Sequence, residues 1–204
     1  MLTYVLFGIS YGFAAAAQPG QLQAYLISRA VSNGWRRTLP AVLAPLLSDL
    51  PVIVVVLLVL TRVPPVMVSL LRLIGGVFLL YLAADAIRRW RAGGGEERLP
   101  EVPAHRTFIE AVFINLLNPN PYLGWALVLG PWLLEAWGKS AATGIALLAA
   151  FYVTLAAGSA AIVLLFSLAR SFGPGVARWL LGLSGLALGV FGVWQLWAGA
   201  AAVF

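Results

Sequence analysis

Asp49 stands inside an apolar run, in the stretch Pro45-Leu46-Leu47-Ser48-Asp49-Leu50-Pro51. A carboxylate in such surroundings binds a cation or an ammonium group, carries a proton, or pairs with a buried base. Two further clusters combine amides with prolines in equally apolar contexts: Gln18-Pro19-Gly20-Gln21, and Asn115 followed by Asn118-Pro119-Asn120-Pro121. Proline has no N–H and clashes with the carbonyl four residues earlier, and Gly20 loosens the chain further, so a helix breaks at these points. A half-helix restarting there presents unpaired N–H groups and a positive dipole end, which suit a carboxylate. The candidate binding residues are therefore Gln18, Pro19, Gly20, Gln21, Asn115, Asn118, Pro119 and Asn120. Asp49 is the candidate for an ammonium group or a coupling proton.

The elements that must position these groups are membrane spans. The 204 residues are 62% hydrophobic and 10% charged, against about 25% charged residues in an ordinary soluble domain. Apolar blocks of roughly 20 residues or more, each able to cross a ~30 Å hydrocarbon layer as a helix, fall at 3–27, 38–61, 66–88, 107–134, 141–168 and 177–201. The alternating ~10-residue segments of a β-barrel are absent from the sequence. The whole chain reads as one transmembrane domain, with residues 1–91 and 107–204 as halves and 92–106 as a linker.

Composition also removes function classes. The sequence has no cysteine, which excludes a thiol-disulfide relay and any thiolate metal site, and one histidine, His105, which cannot build a metal cluster. No metal or cofactor is expected, and with no nucleotide motif the chain does not read as an enzyme. A net charge of +6 would suggest nucleic acid in a soluble protein, but these bases lie at helix ends and report topology. Six crossings put ten of the thirteen (Arg29, Arg36, Arg37, Arg88, Arg89, Arg91, Arg98, Arg106, Arg170 and Arg178) on one side, against Arg62, Arg72 and Lys139 on the other. The arginine-rich side is then cytoplasmic, and both termini face the periplasm or exterior of an inner (plasma) membrane. Ala14 to Gln18 imitates a signal-peptide cleavage site, but it has no basic region before it and the apolar block continues beyond it.

Within this frame Asp49 lies twelve residues from Arg37, about 18 Å deep at 1.5 Å per residue, near the midplane. Arg72, entering from the opposite face, is long enough to meet it, so a structural ion pair competes with a binding or coupling role. Asp85 precedes Arg88 and Arg89 by one turn, and Glu110 follows Arg106 by one turn; both read as interfacial pairs. Glu135 and Lys139 bracket Trp137 as an interfacial anchor. Gly182, Gly185, Gly189 and Gly192 form a small-residue stripe for close helix packing, within a protomer or in a homodimer.

The halves are internally similar. An offset of 100 superposes Phe13 on Phe113, Gln18 on Asn118, Pro19 on Pro119 and Tyr25 on Trp125; an offset of 110 superposes Leu70-Leu71-x-Leu73-x-Gly75 on Leu180-Leu181-x-Leu183-x-Gly185. Each half holds three crossings, an odd number, so the second copy is inverted. The expected fold is all-α: six transmembrane helices in two inverted three-helix repeats, with helices 1 and 4 broken and the site between them.

These features together resemble the LysE/RhtB family of amino-acid exporters: Gln18-Pro19-Gly20, Ser48-Asp49, Leu70-Leu71-Arg72-Leu73-Ile74-Gly75-Gly76, Leu79-Leu80-Tyr81-Leu82, and Phe108 to Trp132 with its Asn-Pro segment. The resemblance spans nearly the whole chain. It implies an antiporter driven by the proton-motive force that exports amino acids or related small solutes. With Asp49 as the ammonium or proton site, Arg72 is expected to tune it, and membrane lipids surround the chain. Relatives that export metal cations or lipid-derived molecules, and a membrane assembly partner, are the alternatives. The chain departs from the family at Gln21, Ser48 and Asn120, where Pro, Gly and Lys are usual. Without that lysine, an anionic group relies on amides and helix ends alone.

Overall fold

The computed structural model describes residues 1–18, 20–58, 65–91, 102–168 and 174–201. Pro19, Arg62, Arg98, Arg170 and most of the 92–106 linker lie outside them. The elements are α1 (Leu2–Ala17), α2 (Gln21–Asn33), α3 (Trp35–Thr38), a 3₁₀ segment (Leu39–Leu43), α4 (Ala44–Leu58), α5 (Pro65–Arg91), α6 (Ala104–Leu116), α7 (Pro119–Gly124), a π-turn (Trp125–Leu129), α8 (Gly130–Lys139), α9 (Ala141–Leu168) and α10 (Pro174–Ala200). No strand occurs among the described residues. Trp35–Val56, Ser69–Arg91, Ala141–Leu168 and Arg178–Ala200 are each long and apolar enough to cross a membrane, whereas α1 is shorter.

The interruptions follow the prolines. Pro45 offers no N–H to the Ala41 carbonyl, which accepts instead from Ala44 three residues on, and the chain there winds as 3₁₀. Pro131 likewise has no N–H for Leu127. One residue earlier Gly130 donates to Trp125, five residues back, which makes the π-turn. Helix 1 breaks after Ala17 and resumes at Gln21; helix 4 breaks after Leu116 and resumes at Pro119. Both breaks fall where the amide-proline pairs placed them. The first block continues to Asn33 rather than 27, and the fourth occupies 104–139 rather than 107–134, because polar residues at the ends still fit a helix.

Packing crosses between the halves. Beside α1 runs α9, in the same direction, with Gly8 against Leu147, Gly12 against Phe151 and Ala16 against Gly158. A Cβ at Gly8 would lie 2.7 Å from the Leu147 carbonyl oxygen, and one at Gly12 2.5 Å from that of Phe151, so only glycine permits this approach. Likewise α3 and the 3₁₀ segment lie beside α6, and α4 reaches α7, the π-turn and α8, so this pair also runs in one direction. The third pair, α5 and α10, is antiparallel, with Gly199 near Ser69 and Arg72, Gly192 near Leu80 and Gly182 near Trp90. The glycine stripe of α10 thus packs within the chain.

At one end of the bundle gather Arg29, Asp85, Glu110 and Arg106 in contact, with Arg178 over Trp90 nearby. At the other, Glu135 accepts from Tyr4 at 2.7 Å and pairs with Lys139 at 3.7 Å. Gly12→Val is expected to lower stability by about 1–3 kcal/mol through overpacking. Its thermal-unfolding midpoint in detergent should fall clearly, while that of Gly138→Ala, with nothing within 4 Å of its added Cβ, stays near the parent's.

Candidate functional site

The breaks in helices 1 and 4 open on one cavity of about 140 Å³, comparable with an engineered ~150 Å³ cavity that admits benzene. Gln18, Gly20 and Gln21 border it from the first break, Asn115, Asn118 and Asn120 from the second, and Asp49 from α4. Tyr11, Trp125, Phe151 and Leu155 complete an aromatic and aliphatic wall. Pro119 is buried behind it. Among the described residues, Asp49 is the only charged one on this lining.

Each break carries side chains that restore the lost backbone bonds. The Ala15 carbonyl, four residues before Pro19, accepts from the Gln23 amide at 3.2 Å. In helix 4 the Leu116 carbonyl accepts from the Tyr122 hydroxyl at 3.0 Å, and the Asn118 side-chain oxygen caps α7 by accepting from the Asn120 N–H at 3.1 Å. Around the gap, the first-turn amides of α2 have no acceptor within their own helix.

Asp49 is 4% exposed, and neutral donors hold it. Asn115 donates to Oδ1 at 2.9 Å; the Trp125 indole and the Tyr152 hydroxyl donate to Oδ2 at 3.2 and 3.0 Å. Asn115 also donates to Ser48 Oγ at 2.7 Å, and Ser48 donates to the Ala44 carbonyl at 3.0 Å. Trp125 begins the π-turn, so the widened turn that Pro131 imposes aims the indole at Asp49. A Cβ at Gly130 would strike the Trp125 carbonyl.

The structure does not bring Arg72 to Asp49. Arg72 donates to the Ala198 carbonyl at 3.4 Å and stacks over Trp194, and no ion pair joins it to Asp49 among the described residues. The span between them was reachable, but α5 turns this face toward α10. Asp85 and Glu110 also differ from simple interfacial pairs: besides Arg89 and Arg106, both bind Arg29 at 2.8 Å. Sequence reasoning missed Tyr11, Gln23, Phe151 and Tyr152. For Trp125 a signal existed, its match to Tyr25 at an offset of 100. Among the described residues no three His, Cys, Asp or Glu side chains gather as metal ligands.

A helical bundle with helices long and apolar enough to cross a bilayer is the build of a multi-pass membrane protein, and the cavity at the two breaks, lined by amides and a carboxylate, has the size of a small solute. The LysE type translocator family model matches residues 13–199, and the chain belongs to that family. No curated protein and no solved structure matches it.

Tyr152→Phe removes one donor from a buried carboxylate and changes little else. A loss of about 0.5–1.5 kcal/mol is expected for one intramolecular hydrogen bond, read as a lower unfolding midpoint. An unchanged midpoint would remove Tyr152 from the Asp49 site.

Proposed function

We propose that this protein exports small amino acids or closely related solutes from the cytoplasm, as an antiporter driven by the proton-motive force. The observation that carries this reading is a solute-sized cavity between two broken helices with a single carboxylate, Asp49, on its lining. The substrate ammonium, or the coupling proton in its absence, binds Asp49. The substrate carboxylate is held by the amides of Gln18, Gln21, Asn118 and Asn120 and by the first-turn N–H groups of α2. Asn115 fixes the carboxylate of Asp49, and Pro119 keeps the second break open. Arg72 has no part in this arrangement.

The architecture proposed is six crossings in two inverted repeats, with both termini outside the inner membrane and the arginine-rich end in the cytoplasm. Helix pairing supports it: exchanging the halves turns the parallel pair α1 and α9 into the parallel pair of helix 4 and helix 2, and returns the antiparallel pair α5 and α10 to itself. A two-fold axis in the membrane plane requires that pattern. Alternating access is then rocking of one repeat against the other.

Asp49→Asn reconstituted in vesicles of known orientation is expected to abolish proton-coupled flux of alanine, serine or threonine while the protein remains folded; persisting flux with its pH dependence intact would overturn the role of Asp49. Ligand binding gives an independent measure. A true substrate at a hundred times its Kd stabilises the folded state by about 2.7 kcal/mol, so one or more amino acids should raise the unfolding midpoint of the parent and not of Asp49→Asn.

A further inference from the structure

Between the cavity and the arginine-rich end, α2 is held by a buried charge network. Arg29 lies eight residues beyond Gln21, about 12 Å along the helix, and is 3% exposed. Its Nη1 donates to Asp85 on α5 and its Nη2 to Glu110 on α6, both at 2.8 Å. The Tyr25 hydroxyl donates to the same Glu110 oxygen at 2.6 Å, and the Arg29 guanidinium stands 5.2 Å from the Tyr25 ring centroid. Buried Tyr25, Leu26 and Ile114 fill the space above. The ion pairs of Arg29 tie α2 to α5 and α6 at this end, and a solute passing between these helices would part them.

The members of the network are not equally placed for that separation. Asp85 keeps Arg89 one turn away on α5 at 3.1 Å, and Glu110 keeps Arg106 one turn away on α6 at 2.9 Å. Arg29 alone loses both its acids, since each belongs to another helix, and its Nε is already buried without a partner. Stranding a buried guanidinium is costly unless an anion replaces its partners. Among the described residues the central cavity has no basic side chain to attract a carboxylate, whereas Arg29 supplies one here.

We propose that Arg29 is a second substrate site, a loading site on the cytoplasmic side, at which the carboxylate of the incoming solute replaces Asp85 and Glu110 and thereby opens the inner gate. The ligand class is a small molecule with a free carboxylate, and α2 carries it toward the cavity at its own N-terminal end. This rests on the transport reading above for the direction of entry.

The sequence contains no cysteine, so a single reporter, Leu155→Cys on the cavity wall, can be labelled with an impermeant maleimide from either face of vesicles holding the full chain. From the arginine-rich face, alanine is expected to raise the labelling rate several-fold, and alaninamide, which keeps the ammonium but has no carboxylate, to leave it unchanged. Arg29→Gln should label about ten times faster without ligand and ignore alanine; Arg29→Lys should regain part of the response. Asp85→Asn with Glu110→Gln, which keeps Arg29, should also label faster, and serves if Arg29→Gln does not fold.

Equal labelling of these variants and the parent, or equal effects of alanine and alaninamide, would overturn the proposal. Flux measured in the same vesicles separates it from the transport reading. Amino-acid flux with no labelling response overturns the gate alone; a response to alanine, retained in Asp49→Asn, with no flux of any amino acid overturns the transport reading alone.

Discussion

Prolines within apolar helices leave carbonyls with no N–H to accept from, and in a hydrocarbon setting each such group is costly until a donor reaches it. The architecture of the site follows from how those carbonyls are satisfied. Gln23 serves Ala15, and Ala44 serves Ala41 by tightening its turn; Leu116, whose partner four residues on, Asn120, gives its N–H to the Asn118 side chain, is served by Tyr122. At Pro131 the chain widens instead, and Trp125 swings onto Asp49. Because side chains satisfy the breaks, the broken segments are fixed in place and the space between them persists as a lined cavity.

Asp49 and Arg29 are both buried, and they are held in different ways. Asp49 is held by an amide, an indole and a hydroxyl, none of them charged. Its charge is therefore stabilised without being cancelled, and remains available to a cation or proton. Arg29 is held by full countercharges, so it is neutralised where it stands. The first arrangement suits a site that must receive a charge; the second suits a contact that must hold two helices together until another charge intervenes.

Much of this was legible along the chain. Apolar blocks gave the helices, because length against bilayer thickness is a local property, and paired amide-proline clusters located both breaks, because proline acts on its own helix. Asp49 was conspicuous by depth. The pairing of Asp49 with Arg72 failed because length and depth say how far a side chain can reach and nothing of the face on which it leaves the helix. Arg29 looked like one more interfacial base, since its acids lie 56 and 81 residues away, beyond any helical period. Asp85 and Glu110 were half read for the same reason: their partners at one turn are visible in sequence, and the shared one is not. Tyr152 sits in an apolar helix with no neighbour to mark it.

The glycine contacts of α1 have a bearing on how the protein is made. Gly8 and Gly12 lie against backbone of α9, and more than a hundred residues must leave the ribosome before that surface exists. Until then α1 lacks the backbone it packs against, and its broken end lacks the amides of Asn115, Asn118 and Asn120. Neither half completes its own packing. The packing closes only when α9 and α10 join the earlier helices, so formation of those helices and completion of the cavity wall, which includes Phe151 and Leu155 of α9, are separate events.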